Sequence, residues 1–477
     1  MKGKTLFLLL FVSIFLPLLI FTAVPVYLKL LFTLNFSVIF IMTILYLYKD
    51  RRYSPILAAF IVFNFLFFIL APMLQIHDVY KLNDLKMPNK MIYKDYLMVK
   101  TNIFIFIFNI VFFVAYRFFV SRKSKLKPYK KDKYLPIHIL ILFGISVLIL
   151  IANLDYIKTE YIEHNYLVLE GTSKSALLLK EKIILMVPFP AFILSVYYIK
   201  KCKKKNSNYY IVILLSLLFF VLLMAIKNPL TEKRNALGPI YLTIIFFLIP
   251  KLLNTNFKSL LFLFFAMVII FPTISLITHS GYSLKQLREN PKLLLYQLRN
   301  HGVSNTFTTL NYDAFINFAA TIEHAEKNDL SYGRQLSGGV FFFVPRKIWN
   351  DKPISTGEYI GEYLSSEYGE KGKRSFNNLS NPFVSEGYIN FGIVGVILFA
   401  ITLAYFLSIM VVWLNGLDPL KIAAAFYASM HMIFFLRGDF TNGYAFLVAS
   451  FVVILAIPKI YFILFRTALK KRPQNAE

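Results

Sequence analysis

Long apolar runs alternate with short polar connections along most of this chain. A run of about 17–25 apolar residues matches the thickness of a bilayer core. Twelve such runs are predicted as spanning helices: 5–23, 28–48, 55–76, 101–120, 135–152, 181–199, 209–226, 237–253, 259–278, 388–413, 420–436 and 444–465. The first follows Met-Lys-Gly-Lys, as a signal peptide would. It is long, lacks a small-x-small cleavage site and continues through Pro25 into the next run, so it reads as a retained helix.

Composition places the chain in the same class. Of its 477 residues 57% are hydrophobic and 16% charged, where a soluble domain carries about 25% charged residues. Fifty Phe and thirty Tyr exceed what an ordinary globular core uses. The reading is an all-α polytopic integral membrane protein. Its net charge of +27 would suggest a nucleic-acid partner in a soluble chain. Here the cations concentrate in "YKDRRYS" (48–54), "SRKSKLKPYKKDKY" (121–134), "KKCKKKNS" (200–207) and the tail "RTALKKR" (466–472). All four fall on one side of the twelve-run count, which makes that side cytoplasmic and leaves both termini inside. The charge is therefore a topology signal, with contact to anionic membrane lipids as an addition and no nucleic acid as partner. The single cysteine, Cys202, excludes an internal disulfide.

The same count divides the chain into three parts. Residues 1–278 hold nine spans with short outer loops, 279–387 form one large outer loop, and 388–477 hold three spans and a basic cytoplasmic tail. The outer loop carries twelve Arg and Lys against eleven Asp and Glu. It is predicted to be helical at 283–300 and 312–327, and its apolar piece "LSGGVFFFVP" (336–345) is too short to span. A connection of this length in a compact protein usually carries function.

Outer segments are normally poor in cations, so those present stand out. "KNPLTEKRNALG" (227–238) brings Lys233 and Arg234, "VPRKIWNDKP" (344–353) brings Arg346, Lys347 and Lys352, "GEKGKRSFNN" (369–378) brings Arg374, and "FFLRGDFTNGY" (434–444) brings Arg437 and Asp439. Arg grips phosphate with a planar fork and Lys supplies a point charge, so a lipid-linked pyrophosphate suits such a set. The alternative is snorkelling to headgroups or pairing with Asp439, Asp351 and Glu232. Glu386, just before the tenth run, is either a general base or a helix-start residue favoured by the dipole. Trp349 and Phe341–Phe343 read as interfacial anchors, with sugar stacking as the second reading for Trp349. Gly387, Gly392 and Gly395 are read as allowing close helix packing. His279, His301 and His324 are too scattered to give metal-ligand spacing.

The run "GGVFFFVPRKIWNDKPISTGEYIGEY" (338–363), followed by "NPFVSEGYINFGIVGVILF" (381–399), resembles the signature of Wzy-type oligosaccharide repeat-unit polymerases, the O-antigen and capsule polymerases. "LTEKRNALGPI" (230–240) and "RGDFTNGY" (437–444) are also similar to that family. The resemblance covers roughly 225–445; the first two hundred residues match only in hydropathy and spacing. It implies a GT-C-like fold in a bacterial inner membrane and a metal- and cofactor-independent glycosyltransferase at its outer face. The implied substrates are undecaprenyl-pyrophosphate-linked oligosaccharides, polymerised into surface polysaccharide. A chain-length regulator and a flippase are the implied protein partners. Under this resemblance Arg346, Arg234 and Arg437 stabilise the leaving pyrophosphate, while Lys233, Lys352, Arg374 and Trp349 bind substrate. Glu386 or Asp439 activates the acceptor hydroxyl. Two rival expectations remain: an O-antigen ligase, with the same donor and a different acceptor, and a flippase or other transporter. Transporters commonly show internal repeats, and none is evident here.

Overall fold

Lipid offers no hydrogen bonds to a backbone, so an apolar run must satisfy its own amides, and it does so as a helix. The computed structural model describes residues 2–122, 134–158, 180, 183–203, 205–227, 234–270, 307–369 and 379–470, excluding the side chains of 234–236 and 465–470. Among them, helices dominate and no strand forms beyond one isolated bridge, Lys86 to Ile92. Ten helices among the described residues are long and apolar enough to cross a membrane: Lys2–Phe21, Val26–Tyr48, Pro55–Leu82, Asp95–Arg122, Leu135–Ala152, Ile184–Lys201, Ser207–Ile226, Phe383–Leu414, Pro419–Arg437 and Phe440–Leu464. The protein is a multi-pass membrane protein.

The other two predicted runs correspond to shorter apolar helices, Leu237–Leu248 and Asn256–Ile270. The first stops at a boundary the residues dictate. Pro250 disfavours helical geometry in the residue before it, and a short tight turn, Pro250–Leu252, takes over. Among the described residues, then, ten helices are long enough to span; the run 237–253 ends its helix at Leu248, and the run 259–278 is described only to Ile270.

Pro55–Leu82 forms the axis of the assembly. Its apolar run is buried on every side, flanked by Val26–Tyr48, Asn256–Phe265 and Pro419–Arg437. A single wide turn, Leu66–Leu70, interrupts its regular hydrogen bonding. Aromatic rings fill the gaps between neighbours, as where Phe60 stacks on Phe112 at 3.8 Å and Phe246 on Phe426 at 4.1 Å.

Polar side chains gather at two opposite ends. At one, Asn415 receives the Tyr53 amide at 3.0 Å and returns a 2.9 Å bond to Tyr53 O, and Asn256 receives the Ser54 amide at 2.9 Å. That end collects 48–54, 249–256 and 415–418. At the other, Gln75 donates to the carbonyls of Phe307 and Tyr312, both at 3.0 Å, and Asn89 donates to Asn317 at 3.0 Å. This second end gathers 75–95, 307–369 and the start of Phe383–Leu414. Of the basic connections, 48–54 lies at the first end. Residues 283–300, read as helical, lie outside the described residues; the reading of 312–327 corresponds to helix Ala314–Asn328.

One correction concerns the tenth run. Phe383–Leu414 is two helices joined at a sharp bend, with Gly392 at φ 60 and Phe391 at φ −141, ψ 17. The segment 383–390 folds back on 393–414: a Cβ on Gly395 would stand 1.8 Å from Gly387 O. In a straight helix those residues would be about 12 Å apart. The predicted span 388–413 thus ran through a turn. Gly387 and Gly395 do allow close packing, but against each other, while Gly392 supplies the left-handed backbone of the bend.

Candidate functional site

The segments singled out by motif meet at the second end, and glycines set how closely. A Cβ on Gly338 would lie 3.1 Å from Pro353, and one on Gly339 would lie 2.9 Å from Phe440. The Leu336 amide donates to Asn390 Oδ1 at 3.1 Å, and Ser331 N to Ile389 O at 2.8 Å. Residues 331–357, 383–390 and 437–444 therefore form one packed unit.

At its centre are two buried carboxyl groups. Asp439 follows Gly438 at a corner between helices. It caps Phe440–Phe451 by accepting from the Asn442 amide at 3.2 Å, as an acid at a helix start favours. Its other oxygen accepts from the Gly357 amide at 2.6 Å. Burial raises the Asp439 carboxyl above its ordinary value, against the lowering effect of these amides. Glu386 is 1% exposed and sits within electrostatic reach of Asp439. Asn390 donates to its Oε1 at 3.2 Å, while Oε2 and the neighbouring Thr356 hydroxyl lack a well-formed hydrogen bond. Adjacent residues Thr356 and Gly357, at the start of helix Thr356–Tyr368, thus address the two acids in turn.

Arg437 ends helix Pro419–Arg437, where a cation complements the dipole. Its acidic partner is Asp313, not Asp439: the guanidinium donates 3.2 Å to Asp313 Oδ1 and 2.7 Å to Leu310 O. Asp313 also accepts from Ser380, which in turn accepts from Asn317 at 3.2 Å. The Arg-Gly-Asp sequence is accordingly a helix corner, a cation closing one helix and an acid opening the next.

The loop cations are tied to their own backbone. Arg346 donates to Lys352 O at 2.6 Å and Pro353 O at 3.4 Å, and Lys352 Nζ donates to Phe342 O at 2.7 Å and Val344 O at 3.0 Å. Burial, then the Arg346 charge, pushes the Lys352 ammonium below its ordinary value. Arg346 is exposed and Trp349 half-buried, with Phe341, Phe343 and Ile348 presenting apolar surface beside them. These two cations do not share a contact with the carboxyl pair. Arg234 begins helix Arg234–Leu248; its backbone alone is described. The far end of that helix adjoins the Tyr53 and Asn415 cluster through Phe246, which puts residue 234 toward the Arg437 end. Lys233 and Arg374 lie outside the described residues.

Sequence reasoning missed Asp313, Asn317, Thr356, Glu323 and Lys94. Glu323, 1% exposed on the buried helix Ala314–Asn328, pairs with Lys94 and accepts 2.7 and 2.8 Å bonds from Tyr368. The available signal was the polar set Asn317, Thr321 and Glu323 within the otherwise apolar first part of the helix, 314–323. His324 packs edge-on to Tyr359 and Tyr363, both at 4.8 Å, and no metal-ligating cluster forms among the described residues. Compared with known protein families, curated proteins and solved structures, the chain matches none.

Proposed function

We propose that this protein is a membrane glycosyltransferase that polymerises polyprenyl-pyrophosphate-linked oligosaccharide repeat units at the face carrying 307–369 and 379–390. The observation that supports the reading is the convergence of 331–357, 383–390 and 437–444, which brings exposed cations and two buried carboxyl groups to one end. In the proposed step an acceptor hydroxyl attacks the anomeric carbon of the donor glycan. The new C–O bond forms as the bond to the pyrophosphate breaks, and the leaving group takes the electron pair. The hydroxyl proton passes to a carboxylate. Arg346 and Lys352 meet the growing negative charge, with Arg437 and Arg234 approaching from neighbouring helices.

Between the two acids, Glu386 is the better proton acceptor. Asp439 is held by two backbone amides, whereas Glu386 is held by side chains only, Asn390 at 3.2 Å and the neighbouring Thr356 hydroxyl, which can turn away. Glu386 is buried, so the segment around Thr356 must open before a hydroxyl reaches it. The test is a chromosomal deletion, with surface glycan run on a gel. A single repeat unit in place of long chains is the expected result. Loss of all surface glycan, with lipid-linked units trapped inside, supports a transporter instead; long free chains that never reach their acceptor support a ligase.

A further inference from the structure

At the end opposite the carboxyl pair, a cleft of about 550 Å³ opens between the last turns of Val26–Tyr48 and Asp95–Arg122. Lys49, Arg51, Arg52 and Arg117 line it with a single acid, Asp50. Arg117 pairs with Asp50, and Arg52 donates to Val120 O at 3.0 Å, so the fold fixes these two cations in place. Lys49 and Arg51 are exposed and add uncompensated charge at the rim.

Beneath that rim the wall is apolar. Leu45 precedes Lys49 by four residues, and Phe113 precedes Arg117 by four, so each stacks one turn deeper on the same helix face. The Arg117 guanidinium lies 5.7 Å from the Phe113 ring centroid, consistent with that stacking. The two helix ends alone would attract cations. That effect accounts for the charges but not for the open volume between the helices, nor for an apolar rung beneath each cation.

We propose that this cleft binds the phosphate headgroup of an acidic phospholipid from the adjoining leaflet. Lys49, Arg51, Arg52 and Arg117 hold the phosphate, and the first acyl carbons lie on Leu45, Phe113 and Val120. A soluble phosphate would use the rim alone, whereas a lipid uses both rungs. The site is separate from the glycan chemistry and stands or falls without it.

Native mass spectrometry of the full chain, offered equal phosphatidylglycerol and phosphatidylcholine, tests the proposal. Phosphatidylglycerol is expected to be retained preferentially and to survive excess inorganic phosphate. The Lys49→Gln/Arg51→Gln double variant changes exposed residues that the fold does not need. Its phosphatidylglycerol retention is expected to fall about fivefold per charge removed. Leu45→Ser is expected to weaken phosphatidylglycerol retention as well. Equal retention of both lipids, or unchanged retention in the double variant, overturns the proposal. So does displacement by inorganic phosphate with Leu45→Ser unaffected, which marks a site for soluble phosphate.

Discussion

Asp439 accepts a 2.6 Å hydrogen bond from the Gly357 amide, 82 residues away in sequence. The contact leaves no space for a side chain at 357: a Cβ there would stand 2.1 Å from Leu379 O. Gly357→Ala therefore must displace backbone, at a cost of about 1–3 kcal/mol. Asp439→Ala removes a helix cap and orphans a buried amide, together about 2–4 kcal/mol. Asp439→Asn keeps an acceptor for the cap. In detergent, thermal unfolding is expected to rank Ala below Asn at position 439, and an equal loss for the two would show that the charge, not the cap, matters.

Arg437 and Asp313 form the second long-range link. Asp313 is 2% exposed at its side chain and Arg437 28%. Asp313→Ala leaves a partly buried guanidinium without its carboxylate, while the solvent still reaching Arg437 softens the loss to about 1–3 kcal/mol. Both bonds leave one guanidinium nitrogen, Nη2, so Arg437→Lys, whose ammonium carries three donors, is expected to keep most of the pairing, whereas Arg437→Met is not. A double-mutant cycle on the two residues measures the coupling, and additive losses would show that the pair is incidental.

Much of this architecture follows from the sequence because its physics is local. A long apolar run in lipid has only one backbone solution, so the ten long helices could be read from hydropathy. The motif glycines likewise announced close approach. What hydropathy cannot show is a turn made of apolar residues. Phe391 and Gly392 open a long apolar stretch, 391–407, and the fold-back shows only in the backbone angles and in Gly395, where a Cβ would stand 1.8 Å from Gly387 O. Partner choice was equally hidden. Asp439 lies two residues from Arg437 in sequence and was a natural mate for it, yet its own helix and Gly357 claimed both oxygens. Asp313, far away in the chain, took the arginine.

Glu323 gives the fold a defined pH dependence. Burial alone would raise its carboxyl, but hydrogen bonds from Lys94 and Tyr368 and the charges of Lys94 and Lys327 outweigh that and hold it below its ordinary 4.5. A depressed carboxyl contributes stability that is present above pH 4.5 and disappears as pH falls through the lower folded value. Unfolding temperature is expected to drop on acidification through that window, and Glu323→Gln is expected to flatten the drop while lowering stability at neutral pH by about 1.5–3 kcal/mol. A wild-type pH profile in Glu323→Gln would assign the acid sensitivity elsewhere.

The two-ended arrangement predicts how the chain sits in its membrane. Ser366 is exposed beside the carboxyl-bearing end and Lys203 at the end with the basic connections. With Cys202 replaced, Ser366→Cys is expected to react with an impermeant thiol reagent from outside intact cells, and Lys203→Cys only after lysis. The reverse pattern would invert the topology and remove the outer-face chemistry with it.

Arg346 poses the sharpest choice between structure and chemistry, because it is exposed yet bonded to two carbonyls of its own loop. If it serves the transferred glycan, Arg346→Ala is expected to shorten surface chains to a single repeat at unchanged membrane abundance. Loss of one preorganised donor costs on the order of 100- to 1,000-fold in rate. Arg346→Gln separates the two roles. Its amide can still donate to Lys352 O, but it carries no charge to meet a pyrophosphate. A catalytic Arg346 makes Gln as poor as Ala and lets Lys recover part of the chain length. A loop staple makes Gln nearly normal, and Lys352→Met, which removes the bonds to Phe342 O and Val344 O, then reproduces the Ala phenotype. Chain length on a gel, beside an immunoblot of the membrane fraction, decides between them. Long chains from Arg346→Gln would withdraw this residue from the chemistry.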